Sequence, residues 1–597
     1  MCGIAGFYGR SYEKAQKLLA KLNHRGPDEN GIFESDFLTL VHSRLAILDV
    51  AGGKQPMTRE NLTIVFNGEI YNHLELRIEF GDVFKTRSDT ETILFLYEKY
   101  REKMLEKLDG MFAIAIYDFK EKTLFLARDR YGKKPLCYSF KNGFCFASEI
   151  NALREIADFT IERDAIASYL ALGFTPFEHS AFAEVKKLSP AEWLKLRLDT
   201  FEIRSGKFFN AENHYEGAIA ENAVIRDEAA AMEAVEIALK NSVKSRLISS
   251  DFEVGAFLSG GIDSALVSFY AAEVAKNLKT FTIKFAGAFD ETALAAKTAR
   301  KIASDHAEIK VAPENLADEI LQILPRFGEP FCDSSAIPSY FVARAAKERV
   351  KVVLNGDGAD ELFAGYRRYL PIARGWFGAA RRAAFLRRFL PPPRDKMSGY
   401  NYIYRLLDSA SARAPLDFWR KTRTSLPAPL DPANPIAAEV SRFLVELPPL
   451  SPLSLALLSD QALLLSSDLL PKIDITSMAR SLEVRSPFLS REISLLAPRL
   501  ADNLKVRGKQ MKYILRRLAA KNLGAEIANA PKRGFEAPLA DWIEGDLREV
   551  VWDFVGSPNA FWREFLPQNI LEKRMSRIEK TNLIWTIFCL EVWKKTL

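Results

Sequence analysis

The sequence predicts a protein of two α/β domains, and three observations carry this prediction. At 597 residues the chain is long enough for two or more domains, each with its own core. Its first third contains short apolar runs separated by turn signals such as Asn142-Gly143, a pattern typical of β-hairpins. From residue 254, strand-like apolar runs alternate with helical periodicity, which predicts a parallel sheet with right-handed crossovers. Beyond Asp360 the apolar spacing is mainly helical.

The hairpin-rich part is expected to form the first domain. Strands are predicted at 62–66, 111–117, 123–127, 136–140 and 144–147 and again within 192–209, with a helix at 90–103. In the second domain, strands at 254–258, 280–285 and 350–354 alternate with helices at 264–278 and 291–303. A charged, alanine-rich stretch separates the two parts. The predicted domains are therefore 1–210 and 231–597, joined by a linker over 211–230.

The composition is that of a soluble globular protein, with 48% hydrophobic and 27% charged residues. The net charge of +6 is small for this length and does not predict a nucleic-acid partner. The cysteines are few and scattered, without zinc or disulfide spacing, which predicts a reducing compartment. No secretory signal is recognisable, and the best candidate for a membrane span, 453–470, is interrupted by Asp460. We therefore expect a cytoplasmic protein without a membrane span.

The segment 374–396 stands out because it is basic and contains a triple proline at 391–393. We interpret it as a solvated helix face followed by a stiff loop. Contact with a membrane surface or with nucleic acid is the alternative.

Cys2 is a candidate nucleophile, because removal of Met1 would leave its α-amine free to act as the base. In this N-terminal-nucleophile arrangement one residue supplies both the attacking atom and the base. The thiolate is the reactive form of cysteine, so a neighbouring amine matters. Taken alone, an early cysteine can also be a chance occurrence.

A second candidate site lies at the ends of two predicted strands. The first strand of the second domain runs into 259–264, Ser-Gly-Gly-Ile-Asp-Ser, and a helix follows. Glycines there let the backbone approach an anion, and the helix N-terminus adds unpaired N–H groups. The strand at 350–354 runs into 355–361, Asn-Gly-Asp-Gly-Ala-Asp-Glu, whose acids suit metal-bound pyrophosphate. The first loop is not a Walker A loop, because no Gly-Lys-Ser/Thr follows.

Taken together, the motifs resemble those of the glutamine-hydrolysing asparagine synthetases over nearly the whole chain. The N-terminal motifs are Cys2-Gly3-Ile4, His24-Arg25-Gly26-Pro27-Asp28, Ser43-Arg44-Leu45-Ala46-Ile47, Asn67-Gly68-Glu69-Ile70-Tyr71-Asn72 and Ser88-Asp89-Thr90-Glu91. The C-terminal motifs include 259–264, 356–361, Lys472, Asp474, Ser481-Leu482-Glu483, Arg485 and Lys532-Arg533-Gly534-Phe535. The resemblance implies an N-terminal Ntn-hydrolase αββα sandwich of the class II glutamine amidotransferase type. It implies an adenine nucleotide α hydrolase-like parallel sheet in the C-terminal domain.

The resemblance also implies roles in glutamine hydrolysis. Cys2 attacks the glutamine amide, while the Asn67 side chain and the Gly68 N–H form the oxyanion hole. Arg44 clamps the α-carboxylate of glutamine, a task suited to its forked guanidinium. The remaining residues implied for glutamine binding are Leu45, Ile47, Glu69 and Asp89.

For the second domain, the resemblance implies ATP as substrate and Mg²⁺ as cofactor. Asp263 and Asp360 would ligate magnesium, and Asp357 is linked to formation of the acyl-adenylate. Lys532 and Lys472 would neutralise the departing pyrophosphate. The other implied nucleotide-binding residues are Leu258, Ser259, Gly260, Gly261, Ser264, Ile283, Asn355 and Gly356. The family also suggests a homodimer and small-molecule substrates only.

The implied reaction is the amidation of aspartate to asparagine by way of β-aspartyl-AMP, with glutamate, AMP and pyrophosphate as the other products. Two departures leave the acceptor open. Asp357 stands where aspartate enzymes often have glutamate, and the region 332–338 lacks the arginine of their Thr-Thr-Ile-Arg stretch. A related enzyme that amidates another carboxylate, such as a uronic acid of a surface polysaccharide, is the alternative. A non-catalytic scaffold that keeps the fold is disfavoured by the intact Cys2, Asn67 and Asp263.

Overall fold

The computed structural model describes residues 2–81, 83–284, 291–310, 315–393, 398–428, 431–530 and 537–597. Its strands are β1 Gly3–Tyr8, β2 Glu29–Glu34, β3 Leu38–Arg44, β4 Met57–Arg59, β5 Leu62–Ile70, β6 Gly110–Asp118, β7 Thr123–Arg128, β8 Cys137–Ser139, β9 Cys145–Ala147, β10 Val185–Lys187, β11 Glu192–Arg197, β12 Ile203–Lys207, β13 Val254–Phe257, β14 Lys279–Lys284, β15 Asp305–Lys310, β16 Val352–Leu354 and β17 Glu483–Arg485.

The helices fall mainly in the second half of the chain. They are α1 Tyr12–Leu22, α2 His73–Ile78, α3 Asp89–Tyr100, α4 Ile150–Leu153, α5 Arg163–Leu172, α6 Ala211–Ala220, α7 Glu228–Ile248, α8 Ile262–Val274, α9 Thr292–Lys301, α10 Leu316–Ile323, α11 Ala336–Lys347, α12 Ala359–Phe363, α13 Tyr369–Ala373, α14 Trp376–Ala383, α15 Gly399–Ala410, α16 Pro415–Arg423, α17 Pro435–Glu446, α18 Pro452–Ser459, α19 Leu470–Met478, α20 Arg491–Leu496, α21 Asp502–Lys505, α22 Tyr513–Leu523, α23 Ala525–Ala528, α24 Leu539–Glu544, α25 Arg548–Val555 and α26 Arg577–Lys594. A π-helical stretch, Asp460–Leu469, joins α18 to α19.

Two antiparallel sheets form the N-terminal domain, in the orders β10-β8-β9-β1-β3-β2 and β12-β11-β7-β6-β5-β4. Apolar side chains of both sheets share one core, in which Ile4 and Leu40 lie with Val65 and Leu126. The central strand β6 is buried along its whole length, as expected where both faces of a sheet are covered. Helix α1 packs beside β1 and β3, and α3 packs on β5. The predicted αββα sandwich is confirmed.

A five-stranded parallel sheet forms the centre of the C-terminal domain, in the order β15-β14-β13-β16-β17. Strands β13 and β16 are direct neighbours, with Ala256 opposite Leu354. Their carboxyl ends therefore lie side by side, and the two polar loops predicted from the sequence follow them. The predicted parallel α/β domain with a helical C-terminal part is confirmed.

The structure corrects three details of the sequence interpretation. Strand β15, which follows the second predicted strand along the chain, forms one edge of the sheet, and the short β17 forms the other. Half of the predicted linker is the helix α6, whose Tyr215 and Ala218 are buried. The continuous helix Pro452–Met478 is long and apolar enough to pass as a membrane span, although 67% of its most apolar window is buried in the protein.

Candidate active sites

Cys2 lies directly before β1 and is buried. Its main-chain N–H donates to Asn67 Oδ1 at 3.0 Å, and its carbonyl accepts from Arg25 Nε at 3.1 Å. Burial raises the pKa of the Cys2 thiol, while the backbone N–H of Leu45 opposes that rise by bonding to the sulfur. The thiol is thus held in place but needs a base to become a thiolate.

Asn67 and Gly68 lie beside Cys2 on β5. The Asn67 amide is buried, and its Nδ2 has no hydrogen-bond partner among the described residues. An unpaired buried donor next to the nucleophile is what an oxyanion hole requires. Gly68 is tightly enclosed, since an added Cβ would lie 2.1 Å from the carbonyl oxygen of Met111. A side chain at residue 68 would therefore displace the strand that carries Asn67.

Two buried carboxylates follow on the same side of the domain. Asp89 accepts a hydrogen bond from the N–H of Ile70 at 2.9 Å, and Glu69 is bonded to Arg485 at 3.3 Å. Burial raises the pKa of both carboxyls, and Asp89 raises that of Glu69 further, while Arg485 opposes this rise. Arg485 belongs to β17, so the second domain supplies a charge partner to the predicted glutamine site. The sequence interpretation did not assign that role to Arg485.

Arg44 has partners within the protein. Its guanidinium donates to Glu29 at 3.0 Å and to the carbonyls of Val50 and Asp49 at 2.8 and 2.9 Å. It therefore shapes the loop after β3, and its contact with a ligand carboxylate stays a prediction. Leu45 and Ile47, the other residues predicted here, are buried beside it.

The loop after β13 is closed by its own hydroxyl groups. The N–H of Ser259 donates to Ser264 Oγ at 3.1 Å, and the two hydroxyls lie 3.0 Å apart. Gly260 and Gly261 complete the turn into α8. The loop after β16 touches this one, because a Cβ at Gly356 would lie 2.9 Å from Asp263 Cβ. Side by side, the two loops line one end of a cavity of about 1190 Å³.

Most predicted nucleotide-binding residues line this cavity. They are Leu258, Ser259, Gly261, Asp263, Ser264, Ile283, Asn355, Gly356, Asp357, Asp360 and Lys472. The Asn355 side chain donates to Asp357 at 2.5 Å, and burial raises the pKa of that aspartate. Lys472 donates to Asp333 at 2.8 Å, and both residues line the same cavity. Lys532 lies outside the described residues.

Lys512 was missed by the sequence interpretation. Its Nζ lies 2.5 Å from Asp263 Oδ2 and 2.7 Å from Asp360 Oδ1, so it joins the loops after β13 and β16. We call these two the phosphate loops, after the ligand that the sequence predicts for them. It is 3% exposed and has a φ of +52°, which is uncommon for a residue with a side chain. Such strain is often found at functional sites.

The carboxylates of this site suit a magnesium ion. Asp263 Oδ1 is buried without a partner in the described part of the chain, on the same side as Asp360. No group of three or more metal-ligating side chains occurs among the described residues, so protein groups alone do not form a metal cage here. Mg²⁺ commonly uses one or two carboxylates and takes its other ligands from phosphates and water. Asp263 and Asp360 therefore fit the role predicted for them.

A buried ionic cluster connects the two sites. Arg25, which holds the carbonyl of Cys2, also donates to Asp474 at 2.8 Å and to Glu149 at 2.7 Å. Lys134 donates to the other oxygen of Asp474 at 3.0 Å. Asp474 lies on α19, two residues after Lys472. The nucleophile and the nucleotide cavity are thus joined through one helix.

Comparison with known proteins agrees with this arrangement. The asparagine synthase family model matches residues 234–595, and the glutamine amidotransferase domain model matches residues 1–208. Asparagine synthetase [glutamine-hydrolyzing] 1 of Bacillus subtilis (strain 168) is 31% identical, over 99% of this chain and 96% of its own length. Asparagine synthetase B [glutamine-hydrolyzing] of Escherichia coli (strain K12) is 32% identical, over 61% of this chain and 65% of its own length.

The two family matches follow one another along the chain, and the relative from Bacillus subtilis aligns with nearly all of it. The cysteine pocket lies in the first matched region, and the phosphate loops lie in the second. This chain belongs to the family of glutamine-hydrolysing asparagine synthetases.

Proposed function

We propose that this enzyme hydrolyses glutamine at Cys2 and transfers the ammonia to aspartate activated by ATP, giving asparagine. The observation that carries the proposal is the unpaired Asn67 Nδ2 beside the buried Cys2. Arg25 and Asp474 connect Cys2 to a cavity lined by the two phosphate loops. One half can release ammonia, and the other can bind ATP. The proposal places the enzyme in the cytoplasm, and a homodimer remains the expectation from the family.

At the first site, the free α-amine of Cys2 takes the thiol proton, and the sulfur attacks the amide carbon of glutamine. Asn67 Nδ2 and the Gly68 N–H bind the oxygen on which negative charge develops. The C–N bond breaks, ammonia leaves with the transferred proton, and water then cleaves the thioester to give glutamate. Glu69 and Asp89 hold the α-ammonium group of glutamine.

At the second site, a carboxylate oxygen of the acceptor attacks the α-phosphorus of ATP. Pyrophosphate then leaves. The ammonium of Lys512, between Asp263 and Asp360, balances the negative charge of the departing pyrophosphate. Magnesium bound by these aspartates would neutralise phosphate charge. Ammonia then attacks the acyl carbon, AMP leaves, and the amide forms.

Ammonia has to reach the second site as the free base, because in water at neutral pH it is mostly ammonium. A path between the sites that excludes water would keep ammonia unprotonated. Met111 is fully buried in a cluster that also contains Leu45 of the first domain and Leu489 of the second. This apolar contact supports a path along the interface that excludes water.

A carboxylate larger than aspartate is the second candidate acceptor, and the cavity favours it. At about 1190 Å³ the cavity exceeds the range of about 300–1,000 Å³ common for small-molecule sites. Beyond the nucleotide loops it is lined by Tyr402, Arg405, Asn582 and Trp585. Amide and aromatic groups of this kind suit a polyhydroxylated acid such as a uronic acid.

The first experiment separates the two half-reactions. Cys2→Ala removes the nucleophile, so glutamine-dependent product formation should disappear while synthesis from ammonium salts continues. Pyrophosphate release and glutamate formation are measured together on the full-length protein. Loss of both activities in a folded Cys2→Ala protein would overturn the proposed division of labour.

The second experiment identifies the acceptor. Pyrophosphate release that depends on both ATP and acceptor is measured with aspartate, glucuronate and galacturonate, each with glutamine as nitrogen donor. Release with aspartate alone supports asparagine as the product. Release with a uronic acid and not with aspartate would replace the first candidate by the second.

A further inference from the structure

The basic segment identified in the sequence takes no part in either catalytic site through most of its length. Helix α14 and the 3₁₀ helix Ala384–Phe389 that follows it form one exposed surface. Between 374 and 393 the basic residues are Arg374, Arg381, Arg382, Arg387 and Arg388, and no acidic residue occurs. This part of the segment therefore carries charge of one sign.

Large apolar side chains lie exposed among these arginines. Phe385 is 56% exposed, Leu386 43% and Phe389 69%. In a 3₁₀ helix, side chains three residues apart line up, so Leu386 and Phe389 lie on one side. Single exposed apolar residues are normal, but a contiguous set rimmed by charge marks an interaction surface. We call Arg381, Arg382, Phe385, Leu386, Arg388 and Phe389 the arginine-aromatic patch.

Arg387 is the arginine of this segment that faces the protein. Its guanidinium lies 3.7 Å from the centre of the Tyr404 ring and pairs with Asp408 at 3.3 Å. This contact fixes the segment against α15. By contrast, Arg381, Arg382 and Arg388 form no ion pair within the described residues.

A cavity of about 410 Å³ adjoins the patch, and its lining includes four cations. Arg387 and Arg388 line it from one side, and Lys573 and Arg574 from the other. The acidic residue in the lining is Glu579, whose carboxylate accepts a bond from the N–H of Ser576 at 2.8 Å. The cavity thus offers several donors and excess positive charge, which suits a phosphate group.

We propose that the arginine-aromatic patch docks the enzyme on an anionic membrane surface. Phe385, Leu386 and Phe389 enter the boundary between headgroups and acyl chains, while the arginines and the adjoining cavity bind lipid phosphates. Exposed aromatic and leucine side chains beside a cationic face are the features by which interfacial helices bind lipid. Juxtaposed arginines add electrostatic attraction to anionic headgroups.

Other occupants fit the patch less well. A second copy related by two-fold symmetry would place arginine against arginine, because the same surface meets itself in such a dimer. Nucleic acid would bind the arginines but would leave Leu386 without an apolar partner. Phe377 of the same helix lines the large catalytic cavity, so a membrane bound to the patch would lie near that cavity.

The test is co-sedimentation of the full-length enzyme with vesicles. We expect binding to an equal mixture of phosphatidylglycerol and phosphatidylcholine, weak binding to phosphatidylcholine alone, and weaker binding as NaCl is raised. Arg381→Gln, Arg382→Gln and Arg388→Gln together should lower the partition coefficient about a hundredfold, since each basic residue near the surface contributes about fivefold. Phe385→Ser with Phe389→Ser should also weaken binding.

The matched control is Ile78→Ser with Val445→Ser, which removes side chains that are 82% and 67% exposed elsewhere. It should bind vesicles like the wild type, and every variant should retain glutamine hydrolysis as a measure of folding. The proposal is overturned if the patch variants bind vesicles as well as the control does. The proposal is also overturned if the wild type does not bind vesicles. Binding of single-stranded RNA or self-association through the patch, without vesicle binding, would identify a different occupant.

Discussion

At the residue scale, the ammonium group of Lys512 connects two loops that are far apart in sequence. Asp263 follows β13, Asp360 follows β16, and Lys512 directly precedes α22. A single cation between two carboxylates keeps them from repelling each other before a nucleotide binds. Under the proposed function, the same cation also meets the negative charge of the phosphates.

Replacing Lys512 by Met should abolish most synthesis while sparing glutamine hydrolysis. Removal of one preorganised charge partner typically lowers a rate about 100- to 1,000-fold. Pyrophosphate release gives the first measurement, and glutamate release gives the second. Lys509→Met is the matched control, because Lys509 is exposed on the same loop. Equal loss of both activities would instead indicate a general folding defect.

Lys512 also marks the limit of what the sequence could predict. Cys2, Asn67 and Asp263 belong to sequence motifs, and each motif by itself indicates a chemical role for its residues. Lys512 lies in an ordinary polar stretch, and its role becomes visible only when folding places it between two aspartates. For Arg44 the resemblance implies a contact with glutamine, and the structure adds bonds of its guanidinium to the protein, so the ligand contact stays a prediction.

At the element scale, β17 is three residues long and joins the two sites. The carbonyl of Arg485 accepts from the N–H of Asn355 at 2.9 Å, within the second phosphate loop. Its guanidinium donates to Glu69, Glu483 and the carbonyls of Arg246 and Ser249. A strand of the second domain therefore positions a carboxylate of the predicted glutamine site.

Arg485→Met should impair glutamine binding in a pH-dependent way. The charged side chains that act on Glu69 are Asp89 from α3 and both Glu483 and Arg485 from β17. Burial and the two acids raise the pKa of Glu69, and Arg485 lowers it, so removing the arginine raises this pKa further. Glu69 then stays protonated to higher pH and loses its attraction for the α-ammonium group.

The measurement is kcat/KM for glutamine as a function of pH, with ammonium-dependent synthesis recorded in parallel. We expect the acidic limb to move to higher pH and KM for glutamine to rise about tenfold or more, as for loss of a charged hydrogen bond. Lys187→Met is the control, because it removes another interdomain ion pair, with Glu329 at 2.9 Å. An unshifted limb in Arg485→Met would show that Glu69 does not depend on this arginine.

The two strands that the sequence interpretation missed in the parallel sheet share a physical reason. Strand β15, Asp-His-Ala-Glu-Ile-Lys, lies at an edge of the sheet and is half-exposed, so it lacks an apolar run. Strand β17 buries Glu483 and Arg485 as paired charges, so it also looks polar. The strands of this sheet that were predicted correctly, β13, β14 and β16, bury most of their side chains.

At the scale of the whole molecule, buried charges cross between the domains. Arg25, Lys134 and Glu149 come from the first domain and Asp474 from the second, and all four side chains are nearly or fully buried. Each charge is tolerated because its partners lie within hydrogen-bonding distance. The two domains therefore stabilise each other. Separating them would remove the charge partners that each domain supplies to the other.

Asp474→Asn tests this mutual dependence. The substitution keeps the shape of the side chain but leaves Lys134 without a carboxylate partner and Arg25 with Glu149 alone. Breaking a buried pair on one side costs about 3–5 kcal/mol, so unfolding should begin at a lower urea concentration. Because the cluster lies between the domains, glutamine hydrolysis and ammonium-dependent synthesis should fail together.

Asp417→Asn is the control, since Asp417 pairs with Lys421 at the surface and such pairs contribute about 1 kcal/mol or less. Survival of one activity after the other is lost would show that the domains are stable independently.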